Sequence, residues 1–294
     1  VLLIDHYPFS KWELEAEILR AIEVARAGNR AVRVLCSLRD IAPQGRYEAV
    51  DAGAYAARVL AVLEARFDAI LVHADPAFTR IEEHFPRARD LPIPLRYTGF
   101  VVDHPSPALA ERPREPYAVL SCGGGARGLP ALLASMDAFG RLSAEGGLGP
   151  MHLVVFAPAF ASSSDMAALQ AAACRGPFTV RPFAEDFDRW LSGAALSVSR
   201  AGYNTCAGLL RAKARAVLLP DPVMADQVYR ARRWADLGLA AVASGESPDV
   251  GAIVAAARRA LAGPPPHHSF DLDGVAHTQA LIERLAGWTR QARL

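Results

Sequence analysis

Four short segments of this chain collect residue types that hold anions and sugars. The first is Gly123-Gly124-Gly125-Ala126-Arg127-Gly128, between an apolar run and a helix-period segment. Glycines there let backbone amides and a helix N-terminus come close to a phosphate. Gly123, Gly125 and Gly128 also fit the dinucleotide pattern G-x-G-x-x-G. That pattern requires an acid about 20 positions on, at the end of the next strand. The next strand here ends Val155-Phe156-Ala157-Pro158, which argues against a nicotinamide or flavin. A tight turn without ligand is the plain alternative.

The second segment is Ser199-Arg200-Ala201-Gly202-Tyr203-Asn204-Thr205. Small and polar residues at a helix start leave N–H groups aimed outward, and Arg200 adds a charge-assisted donor for phosphate. An ordinary capped helix with a solvated arginine is the alternative. The third, Pro182-Phe183-Ala184-Glu185-Asp186-Phe187, offers a ring beside backbone amides, suited to a nucleobase. Taken alone, Phe183 reads as core. The fourth, Pro220-Asp221-Pro222-Val223-Met224-Ala225-Asp226-Gln227, brings Asp226 and Gln227 to a helix start. They suit sugar hydroxyls and equally suit a helix N-cap.

Alternating strand and helix patterns must position these segments, which indicates α/β architecture with mostly parallel sheets. Strands are expected at 1–4, 31–36, 69–73 and 95–102, with helices at 14–27 and 52–66 between them. The proline-rich stretch 103–116 reads as a linker, dividing a first domain (1–102) from a second (117–294). In the second domain strands are expected at 117–121, 151–157, 179–182, 195–199, 216–219 and 240–243. Helices are expected at 129–142, 167–174, 187–192, 202–212, 226–237, 250–260 and 275–285.

Composition narrows the function classes. The 294 residues carry 32 Lys plus Arg against 31 Asp plus Glu, a net charge of +1 that gives no electrostatic footprint for nucleic acid. Only Lys11 and Lys213 are lysines, a skew that fits genome base composition. Cys36, Cys122, Cys174 and Cys206 have neither C-x-x-C nor metal-ligand spacing, and read as buried free thiols of a reducing, cytoplasmic compartment. No apolar run reaches the roughly 20 residues of a membrane span. Val1-Leu2-Leu3-Ile4-Asp5 reads as a strand entered midway, so a segment upstream of Val1 is expected.

The order of the four segments resembles the C-terminal domain of glycosyltransferase family 28, which includes the peptidoglycan N-acetylglucosaminyltransferase. Asp5-His6-Tyr7-Pro8-Phe9, Ser37-Leu38-Arg39-Asp40-Ile41, Val72-His73-Ala74-Asp75-Pro76 and Arg96-Tyr97-Thr98-Gly99-Phe100-Val101 resemble a bacterial group of family 28-like glycosyltransferases. The resemblance implies the GT-B fold, two facing Rossmann-like domains, with the first incomplete here.

It also implies a hexosyltransferase that moves a hexose or N-acetylhexosamine from a UDP-linked donor to a hydroxyl acceptor, with inversion. A nucleotide-sugar epimerase of the same fold and a non-catalytic sugar-nucleotide binder are the alternatives. Carried over, Gly123, Gly124, Gly125 and Arg127, with Arg200, Ala201, Gly202, Asn204 and Thr205, hold the diphosphate. Phe183 and Ala184 meet the base, and Asp226 and Gln227 the sugar. The donor is a substrate, and neither a cofactor nor a metal is expected. Association with a membrane surface stays open.

Family members commonly carry a ribose-binding Glu where this chain has Gly208. Their N-terminal Gly-rich loop, which often bears the catalytic base, lies before Val1. Among the residues present, Asp5, His6, His73 and Asp75 are the base candidates, each at the carboxyl end of an expected strand, where open α/β sheets bind ligands.

Overall fold

The computed structural model describes residues 1–42, 51–102, 116–123, 128–149, 151–184, 187–243 and 249–287. The chain divides into two compact units, Val1–Val102 with Ser269–Leu294, and Asp103–His268.

The first unit is built on a parallel sheet in the order β1-β2-β3-β4: Leu2–Asp5, Val34–Leu38, Ala69–Val72 and Leu95–Tyr97. β2 and β3 are buried along their whole length, as parallel strands covered on both faces must be. Helices α1 (Glu15–Gly28) and α2 (Ala52–Arg66) make the crossovers. α2 starts where the Asp51 carboxylate accepts the Ala54 N–H, and its buried Tyr55, Ala56, Val59, Leu60 and Leu63 follow helical spacing. β4 stops at Tyr97, short of the expected 102, because the chain turns at Gly99 in the left-handed region (φ +82°).

A helix that follows the second unit in the chain joins this one. α9 (Gly274–Leu285) packs Leu281, Ile282 and Leu285 on Leu35, Ala69 and Leu71. The returning strand of chain is clasped by backbone bonds, Phe100 N–H to Asp271 O (2.9 Å) and Gly274 N–H to Phe100 O (3.0 Å). A Cβ on Gly274 would stand 2.5 Å from the Gly99 carbonyl oxygen, so only glycine admits this approach. The sequence reading placed everything from 117 to 294 in the second domain. The structure returns 269–294 to the first, because periodicity reveals a helix's apolar stripe but not which sheet receives it.

Among the described residues, the second unit has six parallel strands in the order β10-β9-β8-β5-β6-β7. They are β5 (Tyr117–Ser121), β6 (His152–Phe156), β7 (Phe178–Arg181), β8 (Leu196–Ser199), β9 (Ala216–Leu218) and β10 (Ala241–Val242). Helices α3 (Leu129–Ala144), α4 (Ser163–Ala173), α5 (Phe187–Leu191), α6 (Tyr203–Ala212), α7 (Ala225–Asp236) and α8 (Val250–Ala262) connect and flank them. One face carries the main core, including Leu120, Leu132, Phe139, Leu153 and Ile253. Tyr117, Val119, Val154, Phe156 and Trp190 form a smaller cluster. Strand order reverses at β5 and β8, the switch point beside which such sheets bind ligands.

One expectation falls differently. Cys174 is exposed at the C-terminal cap of α4, whereas Cys36, Cys122 and Cys206 are buried as expected. The linker stretch 103–115 lies outside the described residues. Among the described residues no helix is long and apolar enough to cross a membrane.

Candidate active site

At the carboxyl edge of the second sheet, Gly123 leaves β5 in the left-handed region (φ +70°), with its N–H on Ser121 Oγ (3.3 Å). Gly124, Gly125 and Arg127 lie outside the described residues. Gly128 opens α3, and a Cβ there would meet the Cys122 Cβ at 2.6 Å. The last glycine of the turn thus serves close packing of helix on strand, a role such turns require.

Helix starts at this edge fall into two groups. α4 and α8 are closed by side chains, Ser162 with Asp165 in a capping box and Asp249 on Gly251 and Ala252 N–H. Among the described residues, α3, α6 and α7 have no side-chain cap. Those three follow β5, β8 and β9, which are neighbours in the sheet. Their first-turn amides and dipoles make one contiguous electropositive stretch. Within it, Ala201 is buried, Gly202 caps α6, Asn204 is exposed and Thr205 half-buried.

Arg200 is not a loose surface charge. Its Nη1 donates to the Leu219 carbonyl (3.0 Å), tying the end of β8 to that of β9 and holding the guanidinium at the edge. Phe183, expected in the core by itself, is 50% exposed, and Ala184 beside it packs against the smaller core cluster. On the neighbouring loop Phe160 is 81% exposed. Glu185 and Asp186 lie outside the described residues.

Asp226 and Gln227 take part in holding their own loop. Asp226 accepts from Arg230 Nη1 (3.1 Å), which also donates to the Ala201 carbonyl (2.6 Å). Arg230 is thus a buried pin (1% exposed) between α7 and the start of α6. Gln227 Oε1 accepts the Asp221 N–H (3.1 Å), which leaves its amide N–H groups as donors. Neither residue caps α7, whose N-cap is Met224.

Gly208 lies buried in α6 against α5. A Cβ there would collide with Asp188 Oδ1 and crowd Leu191 Cδ1 (3.2 Å). The glycine is accounted for by close helix–helix packing, and an Asp188 carboxylate stands where a larger residue would begin.

The base candidates of the first unit have separate surroundings. Asp5 is exposed, 3.9 Å from His6 Nε2. His6 sits in the left-handed region (φ 62°). The Asp75 carboxylate is used structurally: Oδ1 accepts from Ala77 N (2.7 Å) and Oδ2 from Asp271 N (2.8 Å). His73 is buried, with Nε2 2.9 Å from Ser37 Oγ and Nδ1 2.8 Å from Thr98 Oγ1. Burial pulls its pKa down to about 4, opposed by Asp5 and reinforced by His6 and Arg39. Ser37 and Thr98 were visible in the sequence only as parts of longer motifs. Ser37 alone carried a signal, a hydroxyl near the end of an otherwise apolar strand.

Residues 162–261 match the profile of the glycosyltransferase family 28 C-terminal domain. No curated protein sequence matches the chain. Among solved structures, the calicheamicin glycosyltransferase CalG4 is similar at 17% identity and a TM-score of 0.59, covering 99% of this chain and 73% of its own. The glycosyltransferase of kitacinnamycin is similar at 17% identity and 0.57, covering 98% and 70%. The glycosyltransferase VinC, solved in complex with dTDP, is similar at 15% identity and 0.50, covering 92% and 74%. With two α/β units built on parallel sheets, the chain therefore has the GT-B fold of these solved structures, and its residues 162–261 match the family 28 C-terminal profile.

Proposed function

We propose that the protein transfers a hexose or N-acetylhexosamine from a UDP-linked donor to a hydroxyl acceptor, with inversion at the anomeric carbon. One observation carries this reading, the order of groups along the carboxyl edge of the second sheet. Phe183 follows β7, Gly123 follows β5, Arg200 and the α6 start follow β8, and Asp226 and Gln227 follow β9. The edge therefore presents an exposed ring, then amides with a guanidinium, then carboxylate and amide groups. Base, diphosphate and sugar follow in that order in a nucleotide sugar. Four inter-strand steps from β7 to β9 span about 19 Å.

Direct displacement needs a base for the acceptor proton and a field that stabilises the departing diphosphate. The uncapped starts of α3 and α6, with Arg200, supply that field. Calorimetry with UDP, dTDP and uridine tests the donor site. Arg200→Ala is expected to weaken UDP binding about 10- to 100-fold, the size of one charge-assisted bond, and to leave uridine unchanged. Unchanged UDP affinity in the variant would overturn the phosphate assignment. Product analysis of UDP-N-acetylglucosamine without and with a cell-envelope acceptor extract separates epimerisation from transfer.

A further inference from the structure

We infer that the second unit binds a small phosphorylated molecule at the amino edge of its sheet, with the phosphate held between Arg215 and Arg259. The inference stands apart from the transfer reading, because the groups proposed to hold the donor follow the opposite, carboxyl ends of the strands. A cavity of about 380 Å³ lies at this edge, a volume within the range of small-ligand pockets. Its walls are the starts of β9 and β10 at Ala216 and Ala241, the last turn of α8, and the stretch Gly263–His267. All of these belong to the second unit.

The walls are held in place by the protein itself. Gly263 ends α8 in extended backbone (φ −77°, ψ 165°), and the ring-restricted Pro264, Pro265 and Pro266 continue from it. The stretch is tied at both ends. Arg215 Nε–H donates to the Gly263 carbonyl (3.0 Å), and His268 Nε2–H donates to the Leu210 carbonyl (2.9 Å). Prolines have no N–H, so donors for a ligand must come from side chains.

Those side chains are cationic. Arg215, Arg259 and His267 line the cavity, and no lining residue is acidic. Elsewhere arginines meet carboxylates, Arg33 with Asp68 and Arg258 with Glu145. Among the described residues, Arg215 and Arg259 meet only carbonyls, Gly263 for the first and Val242 (3.4 Å) for the second. With Nε spent, Arg215 keeps both Nη groups as donors, while Arg259 keeps Nε and Nη1. Two guanidiniums on one cavity repel each other, and an anion between them reverses the sign of that interaction. The carboxyl end of α8 opposes an anion through its dipole. Two of its carbonyls are already covered, Arg259 O by the Gly263 N–H and Gly263 O by Arg215.

The number of cations selects the ligand. One guanidinium fork satisfies both oxygens of a carboxylate. Two that reach in from separate elements, the start of β9 and the last turn of α8, match the three terminal oxygens and nearly double charge of a phosphomonoester. Buried Leu239 and the alanines and prolines of the wall leave room for an uncharged organic body.

Titration of the full chain with glucose 1-phosphate, read by the 15N amide shifts of Gly238, Ala241 and Gly263, tests the site. Saturable shifts at these three amides are expected, with acetate binding at least tenfold more weakly. Arg259→Gln is expected to weaken glucose 1-phosphate binding about 10- to 100-fold, the size of one charge-assisted bond. Arg259 is exposed, so this variant keeps the fold, whereas Arg215→Ala also releases the Gly263 carbonyl and is expected to lose as much or more. Arg200→Ala, at the other edge, is expected to leave the titration unchanged. The site is overturned by an absence of shifts at these amides at millimolar ligand, by unchanged affinity in Arg259→Gln, or by acetate binding as tightly as the phosphate. Affinity lost in Arg200→Ala would overturn it too, by placing the phosphate at the carboxyl edge.

Discussion

At the scale of single residues, His73 links the first unit's stability to pH. Its folded pKa of about 4 lies below the 6.5 of a free imidazole, so the unfolded chain binds the proton more tightly. The stabilisation from the neutral buried ring is complete above about pH 6.5 and is lost as pH falls toward 4. A shift of that size corresponds to about 3 kcal/mol. Denaturant titrations from pH 7 to 4 are expected to show wild type losing about that much more stability than His73→Gln. Parallel slopes in the two proteins would mean that the ring is already hydrated. Gly208 allows a second test at this scale. Alanine favours a helix by about 1 kcal/mol over glycine, but its Cβ collides with the Asp188 carboxylate. Gly208→Ala is expected to destabilise wild type and to be neutral or stabilising in an Asp188→Ala background. The coupling between the two is about 1 kcal/mol by double-mutant cycle. A glutamate at 208 would have to displace that carboxylate before reaching any ligand.

At the scale of elements, the docking of α9 depends on one backbone approach. Gly274→Ala places a methyl against the Gly99 and Phe100 carbonyls, which belong to rigid backbone and cannot turn aside. The expected cost is about 2–4 kcal/mol, read by chemical denaturation, with Leu281 and Ile282 losing their seat on the sheet. Every strand and helix expected from sequence is present, because apolar period and length identify an element from within its own segment. α2 matches its expected limits, 52–66, since Asp51 and Phe67 mark its ends chemically. What sequence left unread depends on neighbours distant in the chain. Phe183 looked like core because its burial is decided by what packs above β7. Asp75 stood among four base candidates, and its structural partner, the Asp271 amide 196 positions away, was not visible from its own segment. Ser37, His73 and Thr98 meet only because β2, β3 and β4 are adjacent, which no local pattern announces. The turn at Gly123 and the start of α6 at Gly202 were legible as local structure, since turn and helix share one stretch of chain.

At the scale of the whole chain, each unit encloses its own core, and the groups proposed to hold the donor lie in the second. Calorimetry is expected to show two transitions, with UDP at 100 times its Kd raising the stability of the second unit by about 2.7 kcal/mol and leaving the other in place. A single transition shifted as one would mean that the units unfold cooperatively. The return of 269–294 to the first sheet also sets an order of events during synthesis. The four described strands of the first unit precede the second unit in the chain, yet the helix that covers Leu35, Ala69 and Leu71 follows it. At ribosomal rates the roughly 180 residues between β4 and the end of α9 take on the order of 10–40 s. The second unit is made whole within that interval and can fold while the first waits with an apolar face bare. Nascent chains stalled before residue 269 should therefore show a protease-resistant second unit and a first unit that chaperones still hold.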